Sequence, residues 1–193
     1  MTAERAAAVV TGVVERVFTA VTQVRELMLA QHRAARDRGD VLRGEDVDAL
    51  RPALLALLER DPAAVGMGVI AAPGLLPGQA LRLEWWQSAP ELPAPTRLEV
   101  NLSADSFDYY DYAAAEWFEV PRQTGRRHVV GPYVDVHGTD RYLLTLTEPV
   151  LAGGVFLGVA GADVPVSRFE QLVLRGLADL PVELVVVNTE DRV

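Results

Sequence analysis

The sequence predicts an α+β domain in which a long N-terminal helix and a second helix precede a mostly antiparallel sheet with crossing helices. Two observations carry this. Apolar residues recur at helical spacing as far as Glu59, and beyond Asp61-Pro62 they regroup into short runs separated by Pro and Gly, the pattern of strands joined by turns.

From Glu4 to about Arg36 the stripe Val10, Val13, Val17, Val21, Val24 and Met28 predicts one amphipathic helix, ended by Gly39. A second helix is expected from about Glu45 to Glu59, burying Leu50, Leu54, Leu55, Leu57 and Leu58, with Pro52 in its first turns or marking its start. Strands are expected at Gly66 to Ala72, Leu81 to Gln87, Arg97 to Val100, His128 to Val136, Tyr142 to Glu148, Gly154 to Ala160 and Glu183 to Asn188. Helices from Phe107 to Phe118 and from Val166 to Leu177 interrupt them. Residues 1–60 would then be a helical segment of the same domain as the sheet of residues 61–193. Asn188 to Asp191 reads as a turn with little chain after it, as if the natural polypeptide continued.

With 193 residues, half of them apolar, the chain can bury one substantial core. Its 27 acids outnumber 18 bases, all Arg, for a net charge of -9, which argues against a nucleic-acid partner. The absence of Cys excludes a disulfide framework, a thiolate metal site and a cysteine nucleophile. No run approaches the roughly 18 uninterrupted apolar residues of a membrane span, and Ala6 to Val14 lacks the flanks of a signal peptide. The expected location is therefore cytoplasmic, with an extracytoplasmic segment of a membrane receptor as the alternative. His32, His128 and His137 have no metal-ligand spacing. Ser88, Ser103, Ser106 and Ser167 sit in no nucleophile elbow, and the glycines at 66–68 and 158–161 match no phosphate or dinucleotide loop. No metal, no cofactor and no catalysis are expected.

Between Trp117 and Asp163 lie, in order, the aromatic pair Trp117-Phe118, the strand entry Gly-Pro-Tyr-Val-Asp with Tyr133 and Asp135, the strand end Thr-Glu-Pro-Val, and the return Gly-Val-Ala-Gly-Ala-Asp ending at Asp163. This run resembles the Cache family of small-molecule sensors, over roughly Phe107 to Asn188. The resemblance implies a PAS-like sheet and a pocket in which Trp117, Phe118, Tyr133, Asp135 and Asp163 hold the ammonium of a small amine or amino acid. In the amino-acid branch an Arg precedes the Trp by two residues and holds the ligand carboxylate; here that position is Ala115. Arg122 or Arg141 would have to replace it.

Two carboxylates and ring faces suit a cation, through charge-assisted hydrogen bonds and cation–π attraction. Asp163 reads equally as a cap for the helix that follows, and Trp117 and Tyr133 on their own would read as core. Trp85 and Trp86 must point to opposite faces of a strand, so one is expected in the core and the other at solvent, a pocket or a partner. Among Tyr109, Tyr110 and Tyr112, one is a candidate gate, and Tyr110 is counted with the site. The reading is thus a sensor module for an amine-bearing or cationic metabolite, paired as a homodimer through the N-terminal helix. The rival is a dimerisation domain without a ligand, and a weaker one a small enzyme using the acids.

Overall fold

The computed structural model describes residues 2–89, 93–103, 105–136, 141–178, 185, 187 and 188. Helix α1 (Thr2–Asp37) is one continuous element. Its stripe Val13, Val17, Val21, Val24 and Met28 is buried, as the spacing predicts. The expected second helix divides into α2 (Gly44–Asp48) and α3 (Arg51–Arg60). Pro52 lies in the first turn of α3, where a missing N–H costs nothing, and the chain resets at Ala49-Leu50 before it.

Six strands follow: β1 (Gly66–Ala71), β2 (Leu83–Gln87), β3 (Thr96–Arg97), β4 (His128–Val134), β5 (Tyr142–Ala152) and β6 (Val155–Pro165). They form one antiparallel sheet in the order β3-β2-β1-β6-β5-β4. The β5–β6 hairpin is longer than the sequence predicts. Pro149 and the glycines read as strand breakers, yet β5 leaves the β4 ladder after Thr147, so Pro149 lies where its strand needs no N–H donor on that side. Gly158 keeps φ +134, and a Cβ there would run into the Ile70 carbonyl, so this crossing of β1 and β6 requires glycine.

The predicted helix from Phe107 to Phe118 is corrected. Phe107 is fully exposed, and Asn101 ties Ser106 and Asp108 into a local side-chain network that competes with helix formation. Only a 3-10 turn (Tyr112–Ala114) and then α4 (Glu116–Thr124) form. Helix α5 (Val166–Leu177) matches its predicted span. The expected strand from Glu183 to Asn188 lies largely outside the described residues, as do His137 and Gly138.

Helices α1, α3 and α5 cover one face of the sheet, where Val17, Val21, Val24 and Leu54 pack on Met67, Val69, Leu146, Ala160 and Ala162. The 3-10 turn and α4 cover the other, where Tyr112, Trp117 and Phe118 pack on Ile70, Trp85, Val130 and Val159. By length and composition α1 is also apolar enough to cross a membrane, as the core helix of a folded domain can be; this qualifies the expectation that no segment qualifies as a span.

Candidate ligand site

On the α4 side of the sheet, the alternation of side chains puts Gly66 and Gly68 of β1, Gly161 and Asp163 of β6, and Thr145 and Thr147 of β5 on one surface. The small residues leave room for a large one. A Cβ on Gly66 would stand 2.7 Å from Trp85 Nε1 and 3.0 Å from Asp163 Oδ2, and one on Gly161 would stand 3.3 Å from Trp85 Cη2. The Trp85 indole therefore reaches from β2 across β1 to β6, with its N–H edge beside Asp163. Trp85 is only 3% exposed, and its N–H has no hydrogen-bond partner.

Gly66, Asp163 and Thr145 are paired neighbours on three adjacent strands. Thr145 Oγ1 donates to Asp163 Oδ1 at 2.7 Å, and the Tyr133 hydroxyl lies 2.8 Å from the same Thr145 oxygen. Burial pushes Asp163 up to about 7; the Thr145 hydroxyl opposes this, the charge of Asp135 adds to it, and Trp85 and Arg141 oppose it more weakly. Burial also raises Tyr110 and Tyr133, with Asp135 and Asp163 pushing the same way, so both phenols stay protonated donors. Tyr110, Tyr133, Asp135 and Arg141 thus lie within electrostatic reach of Asp163.

Asp135, just after β4, and Arg141, just before β5, lie beside Asp163. Asp135, itself buried, donates its backbone N–H to the Arg141 carbonyl at 3.0 Å. The Arg141 guanidinium then reaches across β6 and β1 to donate to the Ser88 carbonyl beyond β2, at 2.9 Å.

The other predicted site residues are placed as follows. Trp117 is buried in the same apolar cluster, its carbonyl accepting from Thr147 Oγ1 at 2.8 Å. Phe118 is wholly buried between Tyr112, Trp117 and Phe156, with ring centroids 5.3, 6.2 and 5.5 Å away. Trp86 differs from expectation, because both tryptophans of the pair are buried. It lies on the opposite face, donating to Glu84 Oε1 at 2.8 Å with Arg51 4.6 Å above its ring. Arg122 is on the exposed side of α4, paired with Glu119 at 2.7 Å, apart from the acids. Tyr112 is an anchor, donating to the Ala71 carbonyl and accepting the Arg82 N–H. Thr145 and the glycine platform were missed by the sequence reading. Their signal is present in Gly66-x-Gly68 and Thr145-x-Thr147, small or polar residues at alternate positions of otherwise apolar strands.

No family model matches the chain. The methyl-accepting chemotaxis protein TlpQ of Pseudomonas aeruginosa is 26% identical over an alignment of 141 residues that covers 64% of this chain and 20% of that protein. Among solved structures, a methyl-accepting chemotaxis protein X superposes with a TM-score of 0.65 at 17% identity, covering 88% of this chain and 63% of that one. The sensory domain of the Campylobacter jejuni chemoreceptor Tlp3 gives 0.56 at 14% identity, over 97% and 72%. Its ligand-binding domain has also been solved in complex with L-norvaline, with a TM-score of 0.51 at 15% identity and coverage of 87% and 64%. The extracellular domain of soHK1S-Z6, described as a histidine kinase, gives 0.54 at 17% identity, over 84% and 65%. The chain thus spans about a fifth of the chemotaxis protein and less than two thirds of the first structure. The cytoplasmic location expected from the sequence is overturned by these likenesses, which are to chemoreceptors and to the extracellular domain of a histidine kinase. The fold is the Cache-type sensory fold of bacterial chemoreceptors and histidine kinases.

Proposed function

We propose that this domain is the ligand-binding sensor of a longer receptor, and that it recognises a small ligand through an ammonium group. The observation that carries the reading is the buried chain from the Tyr133 hydroxyl through Thr145 to Asp163 beside the Trp85 ring, with Asp135 and Tyr110 within electrostatic reach. A carboxylate pair beside aromatic walls stabilises a cation by charge-assisted hydrogen bonds and ring attraction. Trp117 completes the apolar wall. Output lies in other parts of the receptor, reached through α1, which also pairs two copies of the domain.

A second reading is favoured by one observation. Arg141 spans the end of the sheet within electrostatic reach of Asp163, so a guanidinium lies near the acids although Ala115 supplies none. That arrangement suits an α-amino acid, the ligand class of the Tlp3 complex.

A melting-temperature screen with monoamines, polyamines, quaternary ammonium compounds and amino acids tests both, since a ligand that binds only the folded state raises its stability. At least one amine-bearing compound is expected to raise Tm in the parent and to have no effect on Asp135→Ala. A panel in which only organic acids bind would reject the reading.

A further inference from the structure

Asp163 is in an uncommon position for a carboxylate that is to receive a cation. It is buried, on its own strand it is followed by apolar Val164, and the neighbouring strands offer it one hydroxyl from Thr145 on β5 and the bare backbone of Gly66 on β1. The other charged or titratable groups facing it among the described residues are Asp135 after β4, Tyr133 of β4, Tyr110 from the loop before the 3-10 turn, and Arg141 at the start of β5. Only Arg141 is a cation, and its Nη1 is engaged by the Ser88 carbonyl. From β2, Trp85 places an indole N–H against the same carboxyl without closing a hydrogen bond.

An orphaned buried N–H is costly, and few native groups are left so. The arrangement makes sense if the site has two states. With a proton on Asp163, Thr145 and the neutral carboxyl satisfy each other, and the Trp85 N–H is idle. With the carboxyl ionised, the N–H has a strong acceptor beside it, and the new negative charge on Asp163 is offset by the bound cation.

We propose that cation binding at this site is coupled to release of one proton from Asp163 to solvent, and that the Trp85 N–H is the donor that receives the ionised carboxylate. The proposal rests on the sensor reading above. It makes Trp85 a positioning residue, acting on the ligand through Asp163. Affinity for an ammonium ligand then rises with pH, up to tenfold per unit while Asp163 is protonated in the empty site, and levels off once it is ionised.

The ligand-free protein provides a first test. Asp163 is followed by carboxyl-carbon NMR from pH 4 to 9, assigned with Asp163→Asn, and the Trp85 indole N–H by proton–nitrogen spectra, assigned with Trp85→Phe. The carboxyl is expected to titrate near 7, where burial holds it, with the indole resonance moving at the same midpoint and Trp85→Phe raising that midpoint. A carboxyl midpoint below 5, or an indole signal unchanged through it, overturns the proposal. The second test is calorimetry at pH 6 with the amine that gives the largest Tm shift, in buffers of different ionisation enthalpy. Close to one proton released per ligand is expected, and Trp85→Phe should weaken binding at pH 8 by about tenfold, the weight of one hydrogen bond to a charged group. Binding without proton release overturns the coupling and leaves the sensor reading standing. Failure of every amine to bind rejects the sensor reading itself, whatever the carboxyl titration shows.

Discussion

The two faces of the sheet each bury a carboxylate on the β5–β6 hairpin, but they treat it differently. Glu148, under α1, accepts from Thr22 Oγ1 at 3.1 Å on both oxygens and pairs with Arg25 at 3.2 Å. Asp163, on the face under α4, has one hydroxyl donor, a second carboxylate as neighbour and an indole N–H beside it that falls short of a well-formed hydrogen bond. A buried charge is stable only when paired and hydrogen-bonded. The α1 face meets that condition within the fold. The α4 face leaves it to be met by something else, as a binding surface does.

The largest effect is expected on the completed face. Val24 of α1 is fully buried against the sheet, so Val24→Asp buries an unpaired charge and should cost more than about 4 kcal/mol, a large fraction of the 5–15 kcal/mol that holds a domain folded. Loss of cooperative melting by circular dichroism is the expected result. A folded variant of near-parent stability would mean that α1 detaches readily and the comparison of faces fails.

Next is the site face. Asp163 has its pKa raised from 3.8 to about 7 in the folded state, so the native protein holds a proton that the unfolded chain has released. Folding stability must then fall as pH rises across the window between these values, by about 1.4 kcal/mol per unit, and flatten above it. Asp163→Asn removes this slope and should be more stable than the parent at pH 8, with the advantage shrinking towards pH 4. Urea unfolding at four pH values measures it, and parallel curves for the two proteins would show that Asp163 is ionised in the folded state.

A smaller loss is expected at Glu148. Glu148→Gln keeps the shape but replaces the charge that Thr22 and Arg25 meet, and should lower stability by about 1–2 kcal/mol. It should leave ligand affinity unchanged, because Glu148 faces α1 and not the acid cluster.

How far the sequence discloses these two faces differs in the same way. The α1 stripe and the α5 span follow from helical periodicity, because packing against a flat apolar sheet is what such a stripe is for. The resemblance points to Asp135, Asp163 and Tyr133, and strand alternation to one of Trp85 and Trp86 as a pocket wall. What periodicity could not disclose is set by contacts distant in sequence. Gly161 reads as a strand breaker until Trp85 is seen lying across it. Arg141 has no local signal, since its reach to Ser88 depends on the strand order. The helix expected from Phe107 fails because Asn101 competes for Ser106 and Asp108 through its side chain.

The last prediction separates the two arginines that the sequence left as alternatives. Arg122 is held by Glu119 on the exposed side of α4, so Arg122→Ala should change stability by less than about 0.5 kcal/mol, as for most surface pairs. It should also change ligand affinity by less than about twofold. Arg141 extends across the site end of the sheet. For a matched pair, an amine and the α-amino acid that adds a carboxylate to it, Asp135 and Asp163 attract the ammonium of both and repel the carboxylate of one, unless a guanidinium offsets that repulsion. Arg141→Ala should therefore weaken the amino acid about tenfold more than the amine, as expected when a charge-assisted bond is lost. Calorimetry on the pair, in the parent and both variants, reads the difference directly. If Arg122→Ala shifted the preference and Arg141→Ala did not, the carboxylate would be bound from the α4 side, and the strap over β6 and β1 would be structural.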